Sequence, residues 1–109
     1  MTSIKVRENY QKALEMYYES AEKGHAFSQL QLGKMFLLGV GVDRDYKAAL
    51  EWYQKSVAQG NARGQVLLGD LYLNGSGVDQ SYRKALACYQ KSAEQGKDPK
   101  SAGLAQIRL

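Results

Sequence analysis

Half of a 36-residue stretch of this chain recurs in the next 36 positions, glycines and tyrosines foremost. Gly33, Gly39, Gly41, Val42, Tyr46, Ala49, Leu50, Tyr53, Lys55, Ser56 and Gly60 return as Gly69, Gly75, Gly77, Val78, Tyr82, Ala85, Leu86, Tyr89, Lys91, Ser92 and Gly96. The same register reaches back to Tyr10, Ala13, Leu14, Tyr17, Ser20 and Gly24, and forward to Leu104 and Ala105. A fixed period of this length is the mark of a solenoid, in which each unit buries its apolar face against the next.

Each unit reads as two helices. In the first, Leu30, Leu32, Met35, Phe36 and Leu37 give residues 26–38 their apolar content. In the second, spanning 45–58, Tyr46, Ala49, Leu50 and Tyr53 form one helical stripe. The turn between them, Gly39-Val40-Gly41-Val42-Asp43, offers a left-handed stop at Gly39 and an apolar plug at Val42. The next unit copies this with helices near 62–74 and 81–94. Val6 stands in phase with Val42 and Val78, so the chain opens on the second helix of a unit, about 8–22. It closes on the first helix of another, about 98–109, with Pro99 in its first turn. The expectation is therefore an all-α chain of six antiparallel helices. One half-unit (6–24), two full units (25–60 and 61–96) and one half-unit (97–109) form a single domain. Gly33 and Gly69 fall mid-helix, where glycine costs about 1 kcal/mol, which implies a neighbouring helix at close range. Ala105 in the same slot suggests that alanine is tolerated there and leucine is not.

This pattern resembles the Sel-one-like repeat family, a branch of the tetratricopeptide-type helical solenoids. Leu68-Gly69-Asp70-Leu71-Tyr72 carries the family's Leu-Gly-x-x-Tyr whole, and Leu32-Gly33-Lys34-Met35-Phe36 carries it with Phe for Tyr. Gly39-Val40-Gly41-Val42 and Gly75-Ser76-Gly77-Val78 supply the turn. Asp45-Tyr46-Lys47-Ala48-Ala49 and Trp52-Tyr53-Gln54-Lys55-Ser56 complete the first unit; the second departs with Ser81 for Asp and Cys88 for Trp. The resemblance implies a right-handed α–α superhelix that serves as a protein-interaction scaffold without catalysis. Its known members act as adaptors in quality control and degradation, in bacterial signalling and envelope processes, and at host–pathogen contacts. One secreted branch carries paired cysteines, and the lone Cys88 speaks against that branch.

Composition and isolated residues exclude several alternatives. The net charge of +4 is spread along the chain with no basic block, so nucleic acid is not an expected partner. No apolar stretch is long enough for a signal peptide or a membrane span, so a cytoplasmic location without membrane contact is expected. His25 and Cys88 stand alone, with no second His or Cys at ligand spacing, so neither a metal nor a cofactor is expected. The Gly-x-Gly turns lack the strand and lysine of a phosphate loop. The tyrosine ladders Tyr10, Tyr46, Tyr82 and Tyr17, Tyr53, Tyr89 read as packing residues, and Tyr18, outside the pattern, as a surface residue. Cys88 takes the slot of Trp52 and Met16 and reads as a buried, inert thiol.

Function is left to the positions that vary between units. By the family's geometry, first helices line a concave groove. Its positions here are Phe27, Leu30, Lys34 and Leu38 in one unit and Arg63, Val66, Asp70 and Asn74 in the next, followed by Ala102 and Gln106. Leu37 and Leu73 also fall there but are identical. A peptide or partner helix anchored on these side chains is the leading reading. The alternative is a self-associating structural fragment that meets its own kind through the open face of its first helix, with Ile4, Met16 or Tyr17 in contact. An enzyme is the least supported class, since no nucleophile–base pair, carboxylate pair or metal cluster can be assembled.

Overall fold

A computed structural model describes residues 3–96 and contains, in chain order, α1 (Ser3–Glu22), α2 (Ala26–Leu38), α3 (Tyr46–Ala58), α4 (Ala62–Asn74) and α5 (Tyr82–Gly96). There is no strand among the described residues. The expected sixth helix, with Pro99, lies outside them. Helices α2 and α3 form one repeat and α4 and α5 the next, as a helical solenoid requires.

Helix α1 begins earlier than the expected start near residue 8. Ser3 and Lys5 hold the register positions of Gly39 and Gly41. Without glycine at either place nothing turns the chain, and the helix runs on through Val6.

Local chemistry sets the other boundaries. Gly39 and Gly75 end α2 and α4 at φ 72° and 69°, in the left-handed region. Each C-terminus is closed twice: Met35 O accepts from Gly39 N and Val40 N, and Leu71 O accepts from Gly75 N and Ser76 N. The second helices start on side-chain caps. Asp45 accepts from Ala48 N at 3.0 Å, and Ser81 Oγ accepts from Lys84 N at 3.1 Å. The Asp-to-Ser departure at 81 thus keeps the cap.

Two apolar clusters hold the layers together. Leu30, Tyr53, Leu68, Leu71 and Cys88 form one, and Ala21, Leu32 and Trp52 form the other. Within each unit a serine of the second helix ties down the start of the first: Ser56 Oγ donates to Ala26 O at 3.1 Å and Ser92 Oγ to Ala62 O at 3.0 Å. Between units, Gln29 Nε2 donates to Ala21 O, and within the same unit Gln59 Nε2 donates to Gln29 Oε1. Burying these polar groups in pairs fixes the register between neighbouring helices.

The two tyrosine ladders are built differently. Tyr53 is fully buried, and Tyr17 and Tyr89 are half-buried, as packing residues. Tyr10 and Tyr46 meet the Gly41 and Gly77 turns of the following unit through Cβ and backbone; their rings are exposed, that of Tyr46 with Arg44 5.6 Å from its centroid. A Cβ on Gly77 would fall 2.7 Å from that of Tyr46, so this turn admits no side chain.

Candidate interaction groove

At about 100° per residue, Phe27, Lys34 and Leu38 share one stripe of α2, and Arg63, Asp70 and Asn74 share the equivalent stripe of α4. The outer members of each set are open. Phe27 is 63 % exposed and Leu38 65 %, and Arg63 and Asn74 are also exposed. Lys34 and Asp70, at the middle of each stripe, are half-buried.

Leu30 departs from the sequence expectation. It is 2 % exposed and belongs to the core, because α4 approaches at Gly64, where a Cβ would lie 3.5 Å from Leu30 Cδ2. It is therefore not available as a groove contact. Val66, one unit on, is 38 % exposed. Leu73, its neighbour in the groove register, is exposed as well, whereas Leu37 is partly buried. Ala102 and Gln106 lie outside the described residues.

Asp70 is held in place by α5. Tyr89 Oη donates to Asp70 Oδ1 at 2.5 Å. That bond pushes the Tyr89 hydroxyl up to about 12, with burial and the carboxylate's charge adding to it. In the preceding unit Lys34 occupies the slot of Asp70 and can only donate. The Tyr53 hydroxyl there is buried without a hydrogen-bond partner. Burial first, and the charge of Asp70 second, raise it to about 12. The charge alternation Lys34/Asp70 was legible in sequence; the unequal footing of the two tyrosines was not.

Other candidates take no part in a chemical site. Among the described residues no three His, Cys, Asp or Glu side chains converge, and no helix is long and apolar enough to cross a membrane. Cys88 is a buried free thiol, and burial pushes its ionisation up despite the opposing charge of Lys91. Tyr18, expected at the surface, is half covered and meets the Trp52 ring edge-on at 5.7 Å.

The Sel1 repeat profile matches three successive stretches, residues 2–25, 26–61 and 62–97. The chain belongs to the Sel1 repeat family. Solved Sel1-type structures superpose on it. One is the Sel1 repeat protein from Oxalobacter formigenes, at 32 % identity and a TM-score of 0.73, covering 76 % of this chain and 63 % of that one. Another is c5321, described as a protective antigen present in uropathogenic Escherichia coli strains with an SLR fold, at 41 % identity and a TM-score of 0.73. That match covers 80 % of this chain and 19 % of c5321, so the Sel1 repeats here span less than two thirds of either protein. Cysteine rich protein B of Helicobacter pylori shares the fold at 22 % identity and a TM-score of 0.72, over 86 % of this chain and 70 % of its own. No curated protein sequence matches. Sel1 repeat proteins are in general non-catalytic scaffolds that bind other proteins.

Proposed function

We propose that this Sel1 repeat protein is an adaptor that receives a peptide or helix of a protein partner in the groove lined by α2 and α4. One observation carries the reading. The positions that the repeat does not hold constant, Phe27/Arg63 and Leu38/Asn74, are also the most open on their stripes, and two of them are large apolar side chains. Scaffold residues are constrained by their neighbours; these are not. An apolar end (Phe27, Leu38) and a polar end (Arg63, Asn74, with the anchored Asp70) give the groove a direction. Large side chains of this kind carry most of the binding energy where partners meet. Val66 and Lys34 complete the contact set. Ala102 and Gln106 extend it if the family register continues past residue 96.

The experiment is a cross-linking capture from native extract followed by calorimetric titration of the captured partner against groove and non-groove variants. Groove variants that bind like the parent would refute the reading.

A second reading rests on α1. Met16 is 70 % exposed and lies beside a cleft of about 310 Å³ lined by Ala13, Met16, Tyr17, Ser20 and Ser28. Self-association through this face would make the mass measured by light scattering rise with concentration. A concentration-independent monomer favours the groove alone.

A further inference from the structure

The two units differ most in one core slot. In the first unit Trp52 packs on Ala21, Leu32 and Phe36, with Tyr18 edge-on against its ring and Lys55 Nζ 5.6 Å from the ring centroid. The counterparts of Ala21, Leu32, Phe36, Trp52 and Lys55 are Val57, Leu68, Tyr72, Cys88 and Lys91. In the second unit these five residues, with Gln65, Lys84 and Ala87, line a cleft of about 270 Å³. The cleft has a simple origin. A thiol replaces the indole and Gln54 replaces the covering Tyr18; Leu68 and Lys91 are kept, while Val57 and Tyr72 are larger than Ala21 and Phe36. Lys91 keeps the place from which Lys55 covers a ring, but no ring lies beneath it. Lys84 Nζ stands 5.5 Å from the Tyr72 ring centroid.

We propose that this cleft receives a tryptophan side chain presented by a protein partner, its indole taking the place that Trp52 takes in the first unit. The first unit shows what the slot is shaped to hold. Leu68, Val57, Tyr72 and the Cys88 thiol supply apolar walls. An open cleft with these apolar walls offers a planar ring a surface to lie against. Lys91 supplies the cation over the ring face. The site is separate from the groove: Leu68 and Tyr72 point from the side of α4 opposite Arg63, Asp70 and Asn74. It therefore does not rest on the groove reading.

The test is a titration of isotope-labelled protein followed by amide chemical shifts, with indole and with N-acetyl-tryptophanamide as probes. Both are expected to bind saturably in the millimolar range or tighter and to shift the amides of Leu68, Tyr72 and Cys88. Cys88→Trp fills the slot from within, so it should abolish both titrations and raise the melting temperature. Lys91→Ala, an exposed substitution that leaves the fold alone, should weaken binding about two- to fivefold. Arg63→Ala should leave it unchanged. The proposal is overturned if neither probe shifts these amides up to its solubility limit. It is overturned equally if Cys88→Trp is destabilised or still binds, or if Lys91→Ala binds like the parent. Binding of indole without N-acetyl-tryptophanamide would overturn the side-chain source.

Discussion

The ring of Tyr53 lies so close to Gly33 that a Cβ on the glycine would fall 2.6 Å from Tyr53 Cδ1 and Cε1. The pair is the crossing point of α2 and α3, and Gly69 with Tyr89 repeats it at 2.7 Å in α4 and α5. Two effects of similar size compete when alanine is placed there. Removing glycine from a helix gains about 1 kcal/mol, and overpacking a full core loses about 1–3 kcal/mol. At Gly33 the second wins, because Tyr53 is fully buried and has nowhere to go. We expect Gly33→Ala to lower stability by about 1–2 kcal/mol in urea melts. Gly69→Ala should cost less, since Tyr89 is half-buried and can yield, yet the contact is too short for the harmless exchange that Ala105 suggests. Gly69→Leu should cost more than about 2 kcal/mol. A Gly33→Ala variant as stable as the parent would sink the close-approach account.

The equivalent tyrosines should respond oppositely to loss of the hydroxyl. Tyr89 donates to Asp70, whereas the buried Tyr53 hydroxyl has no partner. Tyr89→Phe should therefore lose about 1 kcal/mol, a modest value for a bond that is partly open to solvent. Tyr53→Phe should be neutral or stabilising, because it removes a buried polar atom that nothing satisfies. Lys34→Asp gives the Tyr53 hydroxyl the acceptor that Tyr89 already has, and Tyr53→Phe should erase any gain from it. Equal losses for the two Phe variants, measured by thermal or urea unfolding, would contradict the assignment.

Stability should decline in the alkaline range. Tyr53 and Tyr89 are both raised to about 12 from 10.0, so the folded state keeps two protons that the unfolded chain releases first. The unfolded state then binds fewer protons and the slope of stability with pH is negative. The contribution is intact below about pH 10 and is lost as pH rises towards 12. In an absorbance titration, two of the eight tyrosines should ionise late. Asp70→Asn should bring Tyr89 back towards 10, because the carboxylate is its main cause, and should move Tyr53 little, because burial dominates there. Absence of a late-ionising pair would refute both shifts.

The sequence carried what is periodic and little of what is not. Gly33, Gly39, Gly41 and Tyr53 announce their roles because the same steric demand recurs in each unit, and repetition makes it visible. Leu30 and Val66 hold the same slot, yet one is core and the other is open. Leu30 is covered by the following helix at Gly64, which a register count does not see, and the position in phase with Gly64 one unit on lies outside the described residues. Tyr10 and Tyr46 recur as regularly as Tyr17 and Tyr53, but they meet the following turn through Cβ and backbone; the period records the need and not which atoms meet it. The exchange of Trp52 for Cys88 was legible as a change of residue. The cleft it leaves depends on Leu68, Tyr72 and Val57 staying where their counterparts are, which only coordinates reveal.

The groove reading requires that binding and stability separate by position. Phe27 is mostly exposed and Arg63 is exposed, and neither is shared between units, so Phe27→Ala and Arg63→Ala should each cost about 1 kcal/mol of stability or less. If they are anchors, each should weaken the partner by about 1–3 kcal/mol. Leu38→Ala and Asn74→Ala, at the far end of each stripe, mark whether the ligand runs the length of the helices. Asp70→Ala is expected to do both, since it removes a groove acceptor and leaves the Tyr89 hydroxyl without its bond. Tyr53→Ala should lower stability first and binding only as a consequence, because its side chain is wholly interior. The measurement is calorimetric titration of each variant, confirmed folded by circular dichroism, against the captured partner. Unchanged affinity in Phe27→Ala and Arg63→Ala, together with loss of binding in Met16→Ala, would move the contact from the groove to the open face of α1.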